Sequence, residues 1–553
     1  LALLVLLACL GMALRQAQEA RREAARAQAM QRLVLGLFDQ AGAARQPGDP
    51  ALRELLAAGA RRGQAELKAQ PRAHAELLGV LSRLYVGIGD YPQALAQSEA
   101  QHRLLQADPD APAGLRLDAA SQHGRVLRLL SRSRDCVARM QPLAAPALHL
   151  QAQARQQAAD FYLQYGHCRR MLGEPIAARQ WFERALDLRR DLAGDDAGVA
   201  EAMIELAMLE SDAARTSAAI AQFMAARDLV LARLGQRHPL LVDIRRNLAA
   251  LELDRGQAGD AEASLQPALE LALDLHGPLH PATLAVRRQL GLAWLQQGRL
   301  DQAERELRAQ HESTANALGQ YHRETAQSLD ALGRLALERG DTAAALAQLR
   351  QAVAIWRQPD GHHLLDRGLA DLALAQAAHG DARGARATLE DAHRLRAARL
   401  GSSHPALGEL DRQIGELLLD QGQAQDARPW LERGAQLTRL GYGADDPRSL
   451  RAELALARLP PGNAAAGEGR SGEEQASALQ RFAGRLPPGE AMAALRWQAQ
   501  AWAAHADCQA GHVAAGTRQL QDLQAQLQLA RPQGGRLPRL VAGLAADCGR
   551  RRH

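Results

Sequence analysis

Histidine is the residue type whose spacing in this chain could do chemistry. His238, His280, His322 and His404 recur at one position of a repeating frame, and His363 stands slightly off it. A ladder of imidazoles could hold metal, but the interval argues against a shared ion. Residues one packed helix apart lie about 8–10 Å from each other, whereas zinc holds its nitrogen ligands at about 2 Å. The spacing therefore predicts a helix-start motif. The His sets the loop, and Pro239, Pro281 and Pro405 supply the first helical turn.

The other candidate motifs fail on context. "GEGRSG", Gly467 to Gly472, matches a phosphate-cradling GxGxxG letter for letter, but such a loop needs a strand before it. Pro460, Pro461 and an Ala run stand there instead, so the segment reads as linker. "HES" at His311 lacks the second His of a zincin helix. Asp195–Asp196 and Asp445–Asp446 fall at loops and repeat boundaries and read as solvated caps. Lys68 is the single lysine, and the sequence contains no GxSxG, Cys–His pairing or P-loop lysine. Cys9, Cys136, Cys168, Cys508 and Cys548 are odd in number, scattered and without a CxxC. They read as small buried apolar residues rather than a zinc site or disulfide framework. The expectation is a chain with no catalytic residue, no metal and no small-molecule cofactor.

Composition narrows the class further. The 67 basic and 62 acidic residues, net +5, are interspersed rather than gathered into a patch, which argues against nucleic acid as a partner. Aromatics are only 3%, so a core must be built from Leu and Ala, which suits closely packed helices. "LALLVLLACLGMAL", Leu1 to Leu14, is charge-free but shorter than the roughly 20 residues that cross a bilayer. It reads as the C-terminal half of a transmembrane helix or as a truncated signal sequence. The first reading is preferred because "RQAQEARREAARAQAMQRLVLGLF" continues as helix. Its Arg15, Arg21, Arg22 and Arg26 suit lipid headgroups, which makes the membrane an expected partner.

The elements that would position any site follow from a repeat of 40 to 42 residues. Turn glycines stand at Gly256, Gly298, Gly340, Gly380 and Gly422. Seven residues before each is a small residue: Ala249, Gly291, Gly333, Ala373 and Gly415. Nine after each is a leucine: Leu265, Leu307, Leu349, Leu389 and Leu431. Weaker copies carry Gly89, Gly124 with Ser131 and Cys136, Gly166 with Gly173 and Phe182, and Ala207 with Ala214 and Phe223. The pattern predicts hairpins of two amphipathic helices that turn at the glycine and cross closely at the small residue. Such hairpins must stack to bury their apolar faces.

This frame, carried by "RRNLAALELDRGQAGDAEASLQPALEL" and "RRQLGLAWLQQGRLDQAERELRA", resembles the tetratricopeptide repeat in its kinesin-light-chain-like variety. The resemblance implies an all-α, right-handed superhelical solenoid of stacked helix-turn-helix hairpins, preceded here by part of a transmembrane helix. The domain reading is a truncated transmembrane helix at 1–14 and a juxtamembrane helical segment at 15–75. An array of about nine repeats follows at 76–445, then a linker at 446–475. A degenerate C-terminal hairpin caps the array at 476–545, with a tail at 546–553. In this family the first helices line a concave groove. Carried over, those positions are Asp243, Arg246, Asn247, Arg288, Gln296, Gln327, Asp330, Arg334, Glu338, Arg412 and Glu416, flanked by Asp254 and Asp420. Arginines at successive steps suit a protein or peptide ligand, whose carboxylates or carbonyls they would clamp.

The segment ahead of the array carries a second likeness. Phe38, Arg53-Glu54-Leu55-Leu56, Gly59-Ala60, Leu67, Gln70-Pro71 and the Tyr85…Gly89 hairpin resemble the region behind the span of bacterial transmembrane Ser/Thr protein kinases. The likeness implies a non-catalytic scaffold or sensor, held outside the cytoplasmic membrane by a single span. The kinase motifs themselves, HRD and DFG, do not occur in this sequence. The Arg cluster after the apolar run points to the opposite side by the positive-inside rule. A free-standing tethered scaffold and the C-terminal region of a membrane-anchored transcriptional regulator are the alternatives.

Overall fold

The structure is a computed structural model that describes residues 50–130, 132–358, 364–459 and 472–550. The apolar run 1–14, residues 15–49 with Phe38 and the Arg cluster, Ser131, residues 359–363 with His363, residues 460–471 of the expected linker and the last three residues lie outside the described residues. Among the described residues no helix is long and apolar enough to cross a membrane. All described secondary structure is helical, and the chain divides into two compact units.

The first unit runs to Gly194 and includes Leu275–His280. Its helices are α1 (Pro50–Glu66), α2 (Pro71–Gly87), α3 (Tyr91–Gln106), α4 (Ala113–Leu129), α5 (Ser133–Leu150), α6 (Arg155–Met171) and α7 (Pro175–Arg190). They pair as hairpins whose close crossings follow the small-residue frame. A Cβ on Gly166 would sit 2.6 Å from the Phe182 ring, and one on Gly124 would meet Met140 Sδ. Phe161, Tyr162 and Tyr165 of α6 and Phe182 of α7 are fully buried, and the Tyr162 hydroxyl donates to the Ala147 carbonyl of α5. Here the expectation for cysteine is corrected. Cys136 on α5 and Cys168 on α6 form a disulfide, with Cα atoms 5.8 Å apart. Adjacent antiparallel helices bring the two positions within bonding range although 32 residues separate them in sequence.

The second unit comprises 195–274 and 281–553. It begins with α8 (Asp196–Asp212), α9 (Thr216–Arg233), α10 (Leu240–Asp254), α11 (Ala258–His276), α12 (Pro281–Gln297) and α13 (Leu300–Leu318). It continues through α14 (Arg323–Arg339), α15 (Thr342–Trp356), α16 (Leu365–Ala378), α17 (Ala382–Leu400), α18 (Pro405–Asp420) and α19 (Ala424–Tyr442). Past the regular repeats come α20 (Pro447–Ala457), α21 (Gly472–Arg485), α22 (Glu490–Gln509), α23 (Val513–Ala530) and α24 (Arg536–Arg550). Within each hairpin the small residue faces the leucine sixteen positions on. Cβ atoms on Gly291, Gly333 and Gly415 would lie 2.5–2.6 Å from the side chains of Leu307, Leu349 and Leu431. The turn glycines hold φ between +74° and +94°, and Ala214 takes the same conformation at φ 61°.

Helix starts explain the histidine ladder. Nδ1 of His322 accepts from the Glu324 amide at 3.2 Å, and Nδ1 of His404 from the Ala406 amide at 3.2 Å. His238 does the same for Leu240 at 3.3 Å. Each imidazole stands in for the hydroxyl or carboxylate of an ordinary N-cap. No group of residues among those described could hold a metal ion.

Two boundaries differ from the sequence reading. Residues 447–457, assigned to the linker, form α20, which Asp446 caps by accepting from the Arg448 amide at 2.9 Å. The Pro/Gly-rich run that follows drew the boundary too early, because Leu450, Leu454 and Ala455 are buried against neighbouring helices. The expected single C-terminal hairpin is instead four helices, α21 to α24. A disulfide between Cys508 and Cys548, Cα atoms 5.7 Å apart, ties α22 to α24.

Candidate functional site

The first helices of the second unit present polar residues inward, and that unit curves until its start touches helices near the end of the regular repeats. His404 Nε2 lies 3.0 Å from the Asp212 carbonyl oxygen, and Arg448 donates to Thr216 Oγ1 at 3.1 Å. These contacts join the start of the unit, α8 and α9, to α18 and α20. The polar faces of α10, α12, α14 and α16 consequently surround a cavity of about 470 Å³.

Of the positions expected in the groove, Arg288, Gln296, Gln327, Asp330, Arg334 and Glu338 line this one cavity, together with Asp254. Glu416 and Asp420 line an adjoining cavity of about 900 Å³. Asp243, Arg246, Asn247 and Arg412 line neither of the two. Arg246 pairs with Asp243 at 3.3 Å, and Arg412 with Glu416 on its own helix. The sequence reading missed Arg367, Asp371, Arg451, Arg531 and Arg536. A signal existed for the first. Arg367 stands thirteen residues before Gly380, the offset of Asp243 from Gly256 and of Gln327 from Gly340. Arg451 was hidden in the presumed linker, and the last two in the presumed cap.

The chain's own C-terminal segment borders the mouth. Arg531 donates to the Gln296 carbonyl at 3.2 Å, at the C-terminal end of α12. Arg539 donates to the Leu337 and Glu338 carbonyls at 2.7 and 2.8 Å, at the end of α14. Gln533 exchanges two hydrogen bonds with Asp301, and the Arg536 amide donates to Glu338 Oε2 at 2.9 Å. Guanidinium groups thus satisfy the last carbonyls of two successive first helices, where the helix dipole also favours positive charge.

The inner charges perturb one another. Burial raises the Asp330 carboxyl to about 7, with Asp371 adding to the rise and Arg334 opposing it. Burial also raises Asp254, although water reaches its side chain. Arg288 is pulled down by burial, with Arg246 and Arg367 nearby adding repulsion. For Arg367 burial acts in the same sense, but Asp371, Asp330 and Asp254 outweigh it and its pKa rises. The arrangement can bind charged and hydrogen-bonding groups. It contains no nucleophile beside a base. The Ser–His contacts, Ser98 with His123 and His311 with Ser328, lie elsewhere, and both hydroxyls already donate to carbonyls.

Comparisons with known proteins agree with the repeat geometry over part of the chain. Residues 240–309 and 293–358 match the tetratricopeptide repeat family. No curated protein matches the chain. Among solved structures, the chain is similar to a Podosopora anserina protein described as a kinesin light chain with nearly identical TPR-like repeats. Identity is 24% over 37% of this chain and 97% of that one, with a TM-score of 0.30. It is similar to a Rap protein complexed with competence and sporulation factor at 15% identity, over 70% of this chain and 97% of that one, TM-score 0.42. The APC/C hetero-tetramer Cut9–Hcn1 gives 14% identity over 90% of each chain, TM-score 0.44. The stretch from 240 to 358 is therefore built of tetratricopeptide repeats, a scaffold typical of protein–protein interaction.

Proposed function

We propose that this chain is the non-catalytic, partner-binding region of a membrane-anchored bacterial serine/threonine protein kinase. It would act as sensor and scaffold, with a protein or peptide held along the inner face of the second unit. One observation carries the binding half. Charged and polar side chains from four successive first helices, Asp254, Arg288, Asp330, Arg334, Arg367 and Asp371 among them, converge on a single cavity. The kinase half rests on the likeness of Arg53–Leu56, Gly59-Ala60, Leu67, Gln70-Pro71 and Tyr85…Gly89 to the region behind the span of such kinases. The two disulfides support an array outside the cytoplasm, because thiols in reducing compartments stay unpaired.

The test is to read the coding sequence in frame upstream of Leu1. A glycine-rich loop, HRD and DFG are expected there. A start codon within a few residues would leave a tethered scaffold, and a helix-turn-helix domain would make the protein a transcriptional regulator. Either result would overturn the kinase assignment. A thiol-alkylation assay on protein from intact cells tests the compartment. Cys136, Cys168, Cys508 and Cys548 should resist labelling until a reductant is added.

A further inference from the structure

Elsewhere in the second unit, arginines near the interior reach carboxylates. Arg396 meets Asp366 at 2.5 Å, Arg299 meets Glu262 at 2.8 Å and Arg458 meets Asp420 at 2.7 Å. The cavity is different. Arg334, Arg367 and Arg451 line it without an ion pair or hydrogen bond to any described residue, and so do Asp254 and Asp371. Arg288 comes only within 3.8 Å of Glu324. Charges of both signs are held around one space and kept from collapsing onto each other. Three further buried atoms on the lining, Arg288 Nε, Asp330 Oδ1 and Gln289 Oε1, have no hydrogen-bond partner. Unmet buried polar groups cost stability unless something satisfies them.

We propose that this cavity is a binding site for a small oxyanion that also carries hydrogen-bond donors. Its carboxylate or phosphate would take the guanidinium forks of Arg334, Arg367 and Arg451, and its ammonium or hydroxyl groups would meet Asp254 and Asp371. Three features fit. The six arginines of the lining outnumber its four acids, Asp254, Asp330, Asp371 and Glu338, and burial favours the neutral form of Asp330. Guanidinium matches the planar, bidentate geometry of both oxyanions. A volume of about 470 Å³ falls in the range of small-ligand pockets, roughly 300–1,000 Å³. Asp254 and Arg367 are solvent-exposed, so the site communicates with water and a ligand can enter. The inference goes beyond the partner-binding reading, and it stands whether or not a kinase is joined to the array.

Isothermal titration of the whole chain tests it, with L-aspartate and inorganic phosphate as separate probes against chloride at equal ionic strength. One probe should bind. Which of the two does so separates a carboxylate site from a phosphate site. Arg367→Gln should weaken binding by at least about tenfold, the size of a lost charge-assisted hydrogen bond. Asp254→Asn should weaken it as well, because the carboxylate that meets the ammonium or hydroxyl group is gone. Arg350→Gln, on an exposed face of α15, should leave it unchanged. Binding of neither probe, or equal binding by the Arg367 and Arg350 variants, overturns the proposal. So does tighter binding by Asp254→Asn.

Discussion

Asp330 and Asp366 stand on neighbouring first helices of the same array, α14 and α16, and both are withdrawn from solvent, at 7% and 4% exposure. Their surroundings are opposite. Asp366 lies between repeats, bonded to Arg396 at 2.5 Å and Arg399 at 3.1 Å, and these guanidiniums hold its carboxyl below the usual range against the pull of burial. Asp330 lies on the inner face with Oδ1 unbonded, and burial raises its carboxyl to about 7. The seams between repeats close their charges, whereas the inner face keeps them open. An inner face left open in this way fits the binding site proposed above.

The largest expected effect lies in the seam. Asp366→Ala strands two guanidiniums that the carboxylate had paired, and should cost about 3–5 kcal/mol in urea unfolding. The pH dependence follows from the depressed pKa. The contribution of Asp366 is complete above the unfolded carboxylate pKa near 4 and is lost as pH falls through its lower folded value. Next comes Gly333→Val. Its Cβ would lie 2.5 Å from Leu349 Cγ, and the forced repacking should cost about 1–3 kcal/mol by the same measurement.

On the inner face the sign reverses. Asp330 binds its proton more tightly folded than unfolded, so it takes stability away as pH rises from about 4 to about 7. Asp330→Asn should therefore stabilise the protein at pH 8 and make no difference below about pH 4. A denaturation series across that range reads it directly. The smallest effect belongs to Ala214, the described non-glycine residue with positive φ. Ala214→Gly should raise the unfolding free energy by about 0.5–1 kcal/mol, the strain of a left-handed alanine less the added freedom of the unfolded chain.

The seam was legible in the sequence and the inner face only in part, for the same physical reason. A seam is local. Gly333 and Leu349 are sixteen residues apart and must meet in every copy, so the pairing is written once per repeat as small residue and leucine. Inner-face residues obey only a rule of direction, which located Arg288, Asp330 and Arg334 but not what they would face. Arg451 and Arg531 reach the cavity by the folding back of segments that do not carry the repeat, and Arg531 meets Gln296 across 235 residues. No local pattern records such a contact. The disulfides were missed differently. Cys136 and Cys168 looked scattered because they were counted rather than placed on the helices that the frame already supplied.

The measurement that tests the account most directly is the unfolding free energy of the double variant Arg367→Gln, Asp371→Asn, compared with the wild type at neutral pH. If the inner charges serve binding, the double variant should match the wild type within about 0.5 kcal/mol or exceed it. A loss of about 3 kcal/mol or more, the scale expected for Asp366→Ala, would mean that these charges hold the fold together, and the contrast between seam and inner face would fall.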